Sequence, residues 1–422
     1  MRRLSLTQWI FVAMVVGVAL GWLFPESARA TTGFAATDLR VLASIFLRLI
    51  KALVVPLVFA TVVVGIAGSG EELGAMGRLA WRALLLFTAL TLVALLIGWA
   101  AALIVQPGQG VVLPAADAAS QVPVRRLTFS GVIEQAFPQS LADAAARNDV
   151  LQVLVFALLF GAALARVASE RRAPLVRVLE SVADAMFKFT GFVMLYAPIG
   201  IGAAIAVTVS QSGVGVLGRL GVLILTVLAA LAVFILAVLL PLAVVSGVSL
   251  RAFWKVAREP TLLAFAAASS DAALPQAMKA LEGYGVPRRI VSFVMPTALS
   301  FNLTGSTLFV GVATLFVAQA AGVTLSVVEQ LAMIGTLMLT TKGIAAVPRA
   351  SLVILSAMLT NFGLPLEGAA LILAVDAIMD MARTGTNMLS HCLATIVLSR
   401  WEQRTGSEDR APAISPHPPV AG

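Results

Sequence analysis

One apolar segment, 368–399, carries an unusual row of polar side chains. They are Asp376, Asp380, Arg383 and Asn387. At about 100° per residue these four fall within roughly 60° of one another on a helix, and His391 continues the same polar stripe. A planar guanidinium can hold a carboxylate by two parallel hydrogen bonds. The spacing therefore predicts a site that binds a small charged ligand.

A structural role is the alternative interpretation of the polar stripe. Arg383 would then neutralise Asp380 or Asp376 and lock helices together. An ionisable side chain at the centre of a bilayer costs about 2.5–3.5 kcal/mol on insertion scales, and such residues usually serve function. The two roles are compatible, because one aspartate can be structural while the other meets a ligand.

The composition places this segment in a membrane. The 422 residues are 60% hydrophobic and 12% charged, which leaves too little polar surface for a soluble protein of this size. A helix needs about 20 apolar residues to cross the hydrocarbon core. Six further segments come close to that length or exceed it: 9–24, 41–68, 83–105, 150–166, 187–208 and 217–247.

The net charge of +8 comes from 29 Lys+Arg against 21 Asp+Glu, and most of it lies in alternate loops. Cytoplasmic loops carry this excess in membrane proteins, so the pattern predicts both termini in the cytoplasm. Arg125, Arg126 and Arg147 fall in a long outside loop, which obeys the rule weakly. No basic patch is interleaved with aromatic residues, so nucleic-acid binding is not indicated.

Redox and metal chemistry have few residues available. Cys392 is the single cysteine, which excludes an internal disulfide, and two histidines are too few for a usual metal cluster.

The apolar run before Pro25 predicts a first span and not a signal peptide, because its small-residue cleavage site is poor. The polar, Pro-rich residues 402–422 predict a disordered cytoplasmic tail.

The hydrophobic region 258–362 is interrupted repeatedly by Ser, Thr, Gly and Pro. Its segments 261–280 and 341–352 echo each other, with Ala-Ala-Leu-Pro ending at Pro275 and Ala-Ala-Val-Pro ending at Pro348. Broken backbone at membrane depth is tolerated only inside protein or beside a water-filled cavity. Paired interruptions of this kind point to a substrate site at the midplane of a transporter.

The run DAIMDMARTGTN at 376–387 resembles the last helix of the dicarboxylate/amino acid:cation symporters, the glutamate transporter family, and especially of its proton-coupled glutamate/aspartate branch. Other stretches agree in order along nearly the whole chain: RLIKALVVPLVFATVVVGIA (48–67), LQVLVFALLFG (151–161), YAPIG (196–200), SSDAALP (269–275), SFNLTGST (300–307) and KGIAAVP (342–348). The resemblance implies a symporter that takes up acidic amino acids and needs no cofactor.

The same resemblance implies the fold class: an all-α polytopic membrane protein of eight transmembrane helices plus two re-entrant helical hairpins, about 258–285 and 327–362. It implies a homotrimer in the bacterial cytoplasmic (inner) membrane that works as an elevator. Residues 1–257 would form six helices that include the trimer scaffold, and 258–401 would form the substrate-binding transport core.

Site residues are also implied by the resemblance. Arg383 would bind the side-chain carboxylate of glutamate or aspartate, and Asp380 would bind the amino group. Further substrate contacts are implied for Thr384, Asn387, Ser269, Ser270, Ser306, Val347 and Pro348. A plain C4-dicarboxylate needs no partner for an ammonium group, so Asp380 favours an amino acid. The C4-dicarboxylate is the nearest alternative substrate.

The residues that would serve cation coupling are Asn302, Thr304, Asp376 and His391. Sodium-coupled members of the family read Asn-Met-Asp-Gly-Thr where this chain has Asn-Leu-Thr-Gly-Ser at 302–306, and His391 replaces a second aspartate. A Tyr and a Thr of the third span are Phe87 and Leu90 here. Hard cations prefer oxygen ligands, so these losses favour H⁺ over Na⁺ as the coupling ion.

The proton carrier stays open among several residues. Histidine is the side chain that ordinarily titrates near neutrality, and His391 lies on the polar stripe. A lone buried histidine can instead be a hydrogen-bonded core residue. Asp376 and Asp271 are the alternative carriers, because intramembrane carboxyl groups mark proton paths.

Two other classes of function can be weighed against the transporter. An enzyme would use Ser269 or Ser270 as a nucleophile with Lys279 or His391 as base, but no nucleophile-elbow motif accompanies these serines. An anion-conducting channel would also suit a polar stripe. Paired Asp and Arg side chains favour the binding of a discrete ligand over conduction.

Overall fold

The structure is a computed structural model that describes residues 6–67, 73–111, 113, 137–147, 150–341, 350–373 and 375–404. Over these residues the chain is helical and contains no strand. A helix satisfies its backbone hydrogen bonds within one segment, which is the requirement that lipid imposes. The predicted all-α class is confirmed.

The helices in chain order are α1 (Leu6–Leu23), α2 (Arg40–Ala67), α3 (Leu73–Val105), α4 (Leu141–Ala146), α5 (Val150–Ala165), α6 (Ser169–Ser212), α7 (Gly215–Phe234), α8 (Leu250–Ala267), α9 (Ser270–Gly283), α10 (Arg288–Phe301), α11 (Thr304–Ala320), α12 (Val327–Thr340), α13 (Ala350–Asn361), α14 (Glu367–Leu373) and α15 (Asp376–Arg404). Short helical turns at 26–32 and 36–39 join α1 to α2. After α7 the chain forms a π-turn at Ile235–Leu239 and continues as Leu240–Val245.

Within the part of the chain that the structure describes, three helical stretches are long and apolar enough to cross a membrane: Arg78–Val105, Gly215–Val245 and Arg288–Ala320. A fourth, in α6, consists of Ser169–Val193 and Leu195–Gln211 bent by 48°. The ring of Pro198 removes the hydrogen bond to the carbonyl of residue 194, which accounts for a bend at that point. The helix is thus much longer than the span predicted at 187–208.

The helices pack in two groups. In the first, α6 lies against α1 and α2, and α2 also packs on α5. In the second, α11 packs on α3 and α15, while α15 packs on α8, α9 and α10. α7 belongs to the second group, since it packs on α3, α11 and α15. Among the described residues the main contacts between the two groups are those of α7 and α14 with α6, of α12 with α5, and of α13 with α2. The polar stripe on α15 lies within the second group.

Both interrupted regions form helix pairs, with boundaries that differ from the prediction. The first pair, α8 and α9, begins at Leu250 and not at 258. Ser249 is the residue before the first helical turn, so the residues that follow it directly are already helical. It breaks at Ala268, whose φ of 47° is in the left-handed region. The second pair is α12 and α13, and the stretch 342–349 between them lies outside the described residues.

The last helix corrects the predicted start of the tail. α15 runs to Arg404, so residues 402–404 are helical and not disordered. An ion pair supports this last turn, since Glu402 Oε1 lies 2.7 Å from Nη1 of Arg82 on α3. The remainder of the predicted tail, 405–422, lies outside the described residues.

Candidate substrate site

Arg383 is held between two aspartates on its own helix. Its Nη1 lies 2.6 Å from Asp376 Oδ1, and its Nη2 lies 2.7 Å from Asp380 Oδ1. Arg383 and Asp376 are fully buried, whereas Asp380 is 5% exposed. Three residues of the polar stripe, Asp376, Asp380 and Arg383, thus form one buried cluster. The internal ion pair also exists, and it involves both aspartates.

An aromatic ring supports the guanidinium of Arg383 from α11. Its Cζ lies 4.2 Å from the centroid of the Phe309 ring, which is fully buried. Cation–π contacts of this kind are strongest when the cation is desolvated. Nε of Arg383 has no hydrogen-bond partner among the described residues. Sequence reasoning missed Phe309, because no local pattern shows that α11 brings it against α15.

The helical stretch Arg288–Ala320 is broken opposite the polar stripe. α10 ends at Phe301 and α11 begins at Thr304, and the two residues between have non-helical backbone angles, with ψ of 41° at Asn302 and 59° at Leu303. The first N–H groups of a helix lack partners within it. Such a break in lipid needs partners from elsewhere in the protein.

Asn387 on α15 supplies these partners. Its Oδ1 accepts from the backbone N–H groups of Gly305 (2.8 Å) and Ser306 (3.4 Å), and its Nδ2 donates to Ser306 Oγ (2.9 Å). A Cβ on Gly305 would come within 3.1 Å of Arg383 Cα, so glycine is what allows α11 to approach α15 here. The predicted site residues Asn387 and Ser306 thus lie together and bond to each other.

A second polar cluster lies one helical turn further along α15. Asn302 Nδ2 donates to Ser390 Oγ (3.1 Å), and His391 Nε2 lies 3.2 Å from the backbone oxygen of Asn302. That contact requires the proton on Nε2, since a carbonyl oxygen only accepts. Asn302 Oδ1, Thr304 Oγ1 and His391 Nδ1 are buried without partners among the described residues. The predicted coupling residues Asn302, Thr304 and His391 therefore surround the helix break.

The first hairpin reaches the same helix. Phe265, near the end of α8, packs on Gly385, where a Cβ would lie 3.3 Å from Phe265 Cβ. Ser269 caps α9 by accepting from the backbone N–H of Ala272 at 3.4 Å, and Ser270 is buried in the first turn. The N-terminus of α9 carries partial positive charge, which suits an anionic ligand.

Three of the predicted substrate-binding residues remain to be placed: Thr384, Val347 and Pro348. Thr384 is buried on α15 next to Arg383. Val347 and Pro348 lie outside the described residues. Phe87 and Leu90, where the family has a Tyr and a Thr, are buried in the apolar core and bring no side-chain oxygen. Among the described residues, no group of three or more His, Cys, Asp or Glu side chains could hold a metal ion.

A charged internal site beside broken helices, in a chain whose helices are long and apolar enough to cross a membrane, is typical of a membrane transport protein. The family comparison makes this specific. The model of the sodium:dicarboxylate symporter family matches residues 6–401, and the chain belongs to that family. It is therefore a transporter, and the enzyme alternative based on Ser269 or Ser270 is excluded.

The chain is similar to named transport proteins over almost its whole length. It is 38% identical to the proton/glutamate-aspartate symporter of Escherichia coli K12, covering 100% of this chain and 97% of that protein. It is 40% identical to the protein of the same name from Bacillus subtilis 168, covering 96% of each. A C4-dicarboxylate transport protein of Rhizobium johnstonii is 36% identical, covering 96% of this chain and 90% of that one.

Proposed function

We propose that this chain is a symporter that takes up glutamate or aspartate together with a cation. The observation that carries the proposal is the fully buried Arg383, flanked by Asp376 and by Asp380. An acidic amino acid presents carboxylate and ammonium groups about one side chain apart. The stripe presents the complementary pair of charges.

The two aspartates have different parts in this mechanism. Asp376 has no exposed surface and holds Nη1 of Arg383, so it fixes the guanidinium. Asp380 is the partly accessible partner on Nη2. An incoming side-chain carboxylate replaces Asp380 on the guanidinium, because both offer the same acceptor oxygens. The released Asp380 carboxylate then receives the ammonium group of the substrate.

The charges of the site favour a co-transported cation. One arginine and two aspartates give the stripe a net charge of −1 when all three are ionised. An acidic amino acid adds a further −1. Uncompensated charge is costly in a low-dielectric interior, so a bound cation or proton lowers the cost of carrying the substrate. Relatives that match over almost their whole length are named as proton or proton/sodium symport proteins.

We propose the proton as the coupling ion, with His391 as its carrier. The Nε2 contact to Asn302 leaves the buried lone pair of Nδ1 without a partner in the described part of the chain. Nδ1 is the nitrogen at which His391 would take up a proton, since Nε2 already carries one. Thr304 also stands where sodium-coupled members have a carboxylate, which weakens that position for Na⁺. Asp376 and Asp271 are the alternative carriers.

An elevator mechanism agrees with the two groups of helices. The group that contains α15 also holds the first hairpin and the broken helix, while α1, α2, α5 and α6 pack separately. Sparse contacts between the groups allow one to slide past the other. We propose that the mobile group carries the site across the membrane, within the family's arrangement of eight transmembrane helices, two re-entrant hairpins and a homotrimer.

The direction of the chain in the membrane follows from its basic loops. We propose a bacterial inner-membrane location with both termini in the cytoplasm, since the loops predicted on that side carry most of the Lys and Arg residues. Cysteine labelling from either side of sealed vesicles tests this orientation.

Uptake into proteoliposomes tests the proposed function. Labelled glutamate, aspartate and succinate are offered under a proton gradient alone, a sodium gradient alone, or neither. We expect saturable glutamate or aspartate uptake that a proton gradient drives. Gradient-independent, non-saturable flux would contradict a symporter and support the channel alternative. Uptake of succinate without glutamate or aspartate would support the C4-dicarboxylate alternative, which the Rhizobium relative represents.

A further inference from the structure

One face of α8 carries three basic side chains, Arg251, Lys255 and Arg258, which we call the basic row. They follow one another at intervals of four and three residues, so they are neighbours along the helix, and all three are exposed. No ion-pair partner is found for Arg251 or Lys255 among the described residues. Nη2 of Arg258 lies 3.8 Å from Oε1 of Glu259, which is a long contact. The basic row therefore keeps an excess of positive charge.

Two large apolar side chains share this face of α8. Trp254 is 55% exposed and Leu262 is 60% exposed, and both lie within roughly 60° of Arg251 around the helix. The opposite face is buried and includes Phe253 and Ala257. Exposing a tryptophan and a leucine to bulk water is unfavourable. Cations next to a tryptophan and followed by a leucine suit the boundary between lipid headgroups and acyl chains.

A second helix of the same group repeats the pattern. On α3 the residues Arg78, Trp81 and Leu85 follow one another at intervals of three and four, and all three are exposed. Trp81 is 61% exposed and Leu85 is 51% exposed. The order of cation, tryptophan and leucine along the helix is the same as on α8. Two helices thus present a face that suits a lipid boundary.

The last turns of α15 bring the starts of α3 and α8 to one end of the second group. Oε1 of Glu402 lies 2.7 Å from Nη1 of Arg82, in the early turns of α3. Nη1 of Arg400 donates to the backbone oxygen of Ser246 at 3.1 Å, four residues before α8 begins. Both exposed faces therefore begin at the same end of the second group.

We propose that this end of the second group binds anionic phospholipids of the cytoplasmic leaflet through the basic row. The proposed orientation places it at the cytoplasmic surface, where the leaflet is negatively charged. Guanidinium and ammonium groups donate to the phosphate oxygens of the headgroups. Trp254 lies at the headgroup boundary, and Leu262 contacts acyl chains. The bound headgroups hold the base of the first hairpin at the membrane surface. This contact involves no substrate, so it goes beyond the proposed symport.

Quenching of tryptophan fluorescence by brominated lipids tests the contact with the full chain in vesicles. The vesicles contain phosphatidylglycerol, which is anionic, and phosphatidylcholine, which has no net charge, in equal amounts, and one or the other is brominated. Subtracting the signal of the Trp254→Phe variant gives the contribution of Trp254. We expect Trp254 to prefer phosphatidylglycerol about fivefold or more, since one basic residue near an anionic surface already contributes about fivefold.

Charge variants of the basic row decide whether it causes the preference. The triple variant Arg251→Gln, Lys255→Gln, Arg258→Gln should bring the preference close to one. The triple variant Arg251→Lys, Lys255→Arg, Arg258→Lys conserves charge, is the matched control, and should keep the preference. An unchanged preference in the glutamine variant would overturn the proposal. Loss of the preference in both variants would show that charge is not its cause and would overturn it as well.

Trp22 provides a second reporter away from the basic row. It is 67% exposed near the end of α1, on the opposite side of the membrane in the proposed orientation. Its contribution, obtained with Trp22→Phe, should show no such preference. An equal preference at Trp22 would show that the vesicle sets the lipid distribution, and it would overturn the proposal. Absence of quenching of Trp254 by either lipid would show that this face of α8 meets water or protein, with the same consequence.

Discussion

Arg383 Nη1 lies 2.6 Å from Asp376 Oδ1, two helical turns earlier on the same helix, and neither side chain is exposed. Side chains on a helix lean towards its N-terminus, which brings the long arginine back to a residue seven positions before it. The pair is therefore built within α15. It sets the orientation in which Arg383 faces Asp380 and any ligand.

The first prediction concerns the stability that this pair provides. Asp376→Asn should lower the free energy of unfolding by about 3 kcal/mol, because breaking a buried ion pair costs about 3–5 kcal/mol and Asp380 still partners Arg383. Thermal unfolding in detergent measures the change. Asp380→Asn is the control, and we expect a smaller loss. An equal or larger loss in the control would contradict the division of roles between the two aspartates.

The second prediction concerns selectivity at Asp380. Asp380→Asn should raise the KM for glutamate about 10-fold or more, since the ammonium group loses a charged partner. Binding of succinate, which has no ammonium group, should change much less. Competition of succinate against labelled glutamate measures both. Equal weakening of the two ligands would mean that Asp380 does not contact the amino group.

The third prediction concerns the aromatic support beneath Arg383. Phe309→Leu should weaken substrate binding about 3- to 30-fold, because a desolvated cation–π contact is worth about 0.5–2 kcal/mol. Phe316→Leu is a matched control, since Phe316 is equally buried on the same helix and no cation–π contact to Arg383 is found for it. The midpoint temperature of thermal unfolding should fall by similar amounts in the two variants. If Phe309→Leu and Phe316→Leu lose substrate affinity to a similar extent, Phe309 acts through packing and not through the cation–π contact.

The sequence predicted the polar stripe because helical spacing is local information. Asp376, Asp380 and Arg383 belong to one helix, so their meeting follows from the 3.6-residue period. The capping of Gly305 by Asn387 could not be predicted in this way, since it joins residues 82 positions apart. Such a contact depends on how α11 and α15 pack.

Helix boundaries were predicted less well than helix existence. The polar run near 250 resembles a loop, yet Leu250–Ala267 is one helix that includes Pro260. The polar residues Glu402 and Arg404 resemble the start of a tail, but the pairing of Glu402 with Arg82 extends the helix. In the first place the helix includes a polar run, and in the second a contact between distant residues extends the helix. In neither place does the local composition indicate the observed helix boundary.

The fourth prediction concerns acid stability of the turn between α1 and α2. A hydrogen bond from Thr37, and then one from Arg29, lower the pKa of Glu26 below its ordinary value. The backbone N–H of Ala35, and then Arg29, lower the pKa of Asp38. A lowered carboxyl pKa gives stability that is present above the ordinary pKa and is lost as pH falls through the folded value.

Glu26→Gln should therefore unfold more readily than wild type at neutral pH and match it in acid. Thermal unfolding at neutral pH and at progressively lower pH measures the difference, which should shrink as the pH falls through the lowered pKa of Glu26. Glu170→Gln is the control, as an exposed glutamate in the first turn of α6. A difference for Glu26→Gln that does not change with pH would contradict the assigned cause.

The last prediction concerns the proposed proton carrier. His391→Gln keeps a side chain that can donate to the Asn302 carbonyl but cannot gain a proton, so uptake should lose its dependence on pH. The other histidine, His417, provides the matched control as His417→Gln. Glutamate uptake at fixed membrane potential, measured with equal pH on both sides, reports the dependence. If His391→Gln retains the wild-type pH profile, the histidine does not carry the proton, and Asp376 or Asp271 becomes the carrier to test by the same assay.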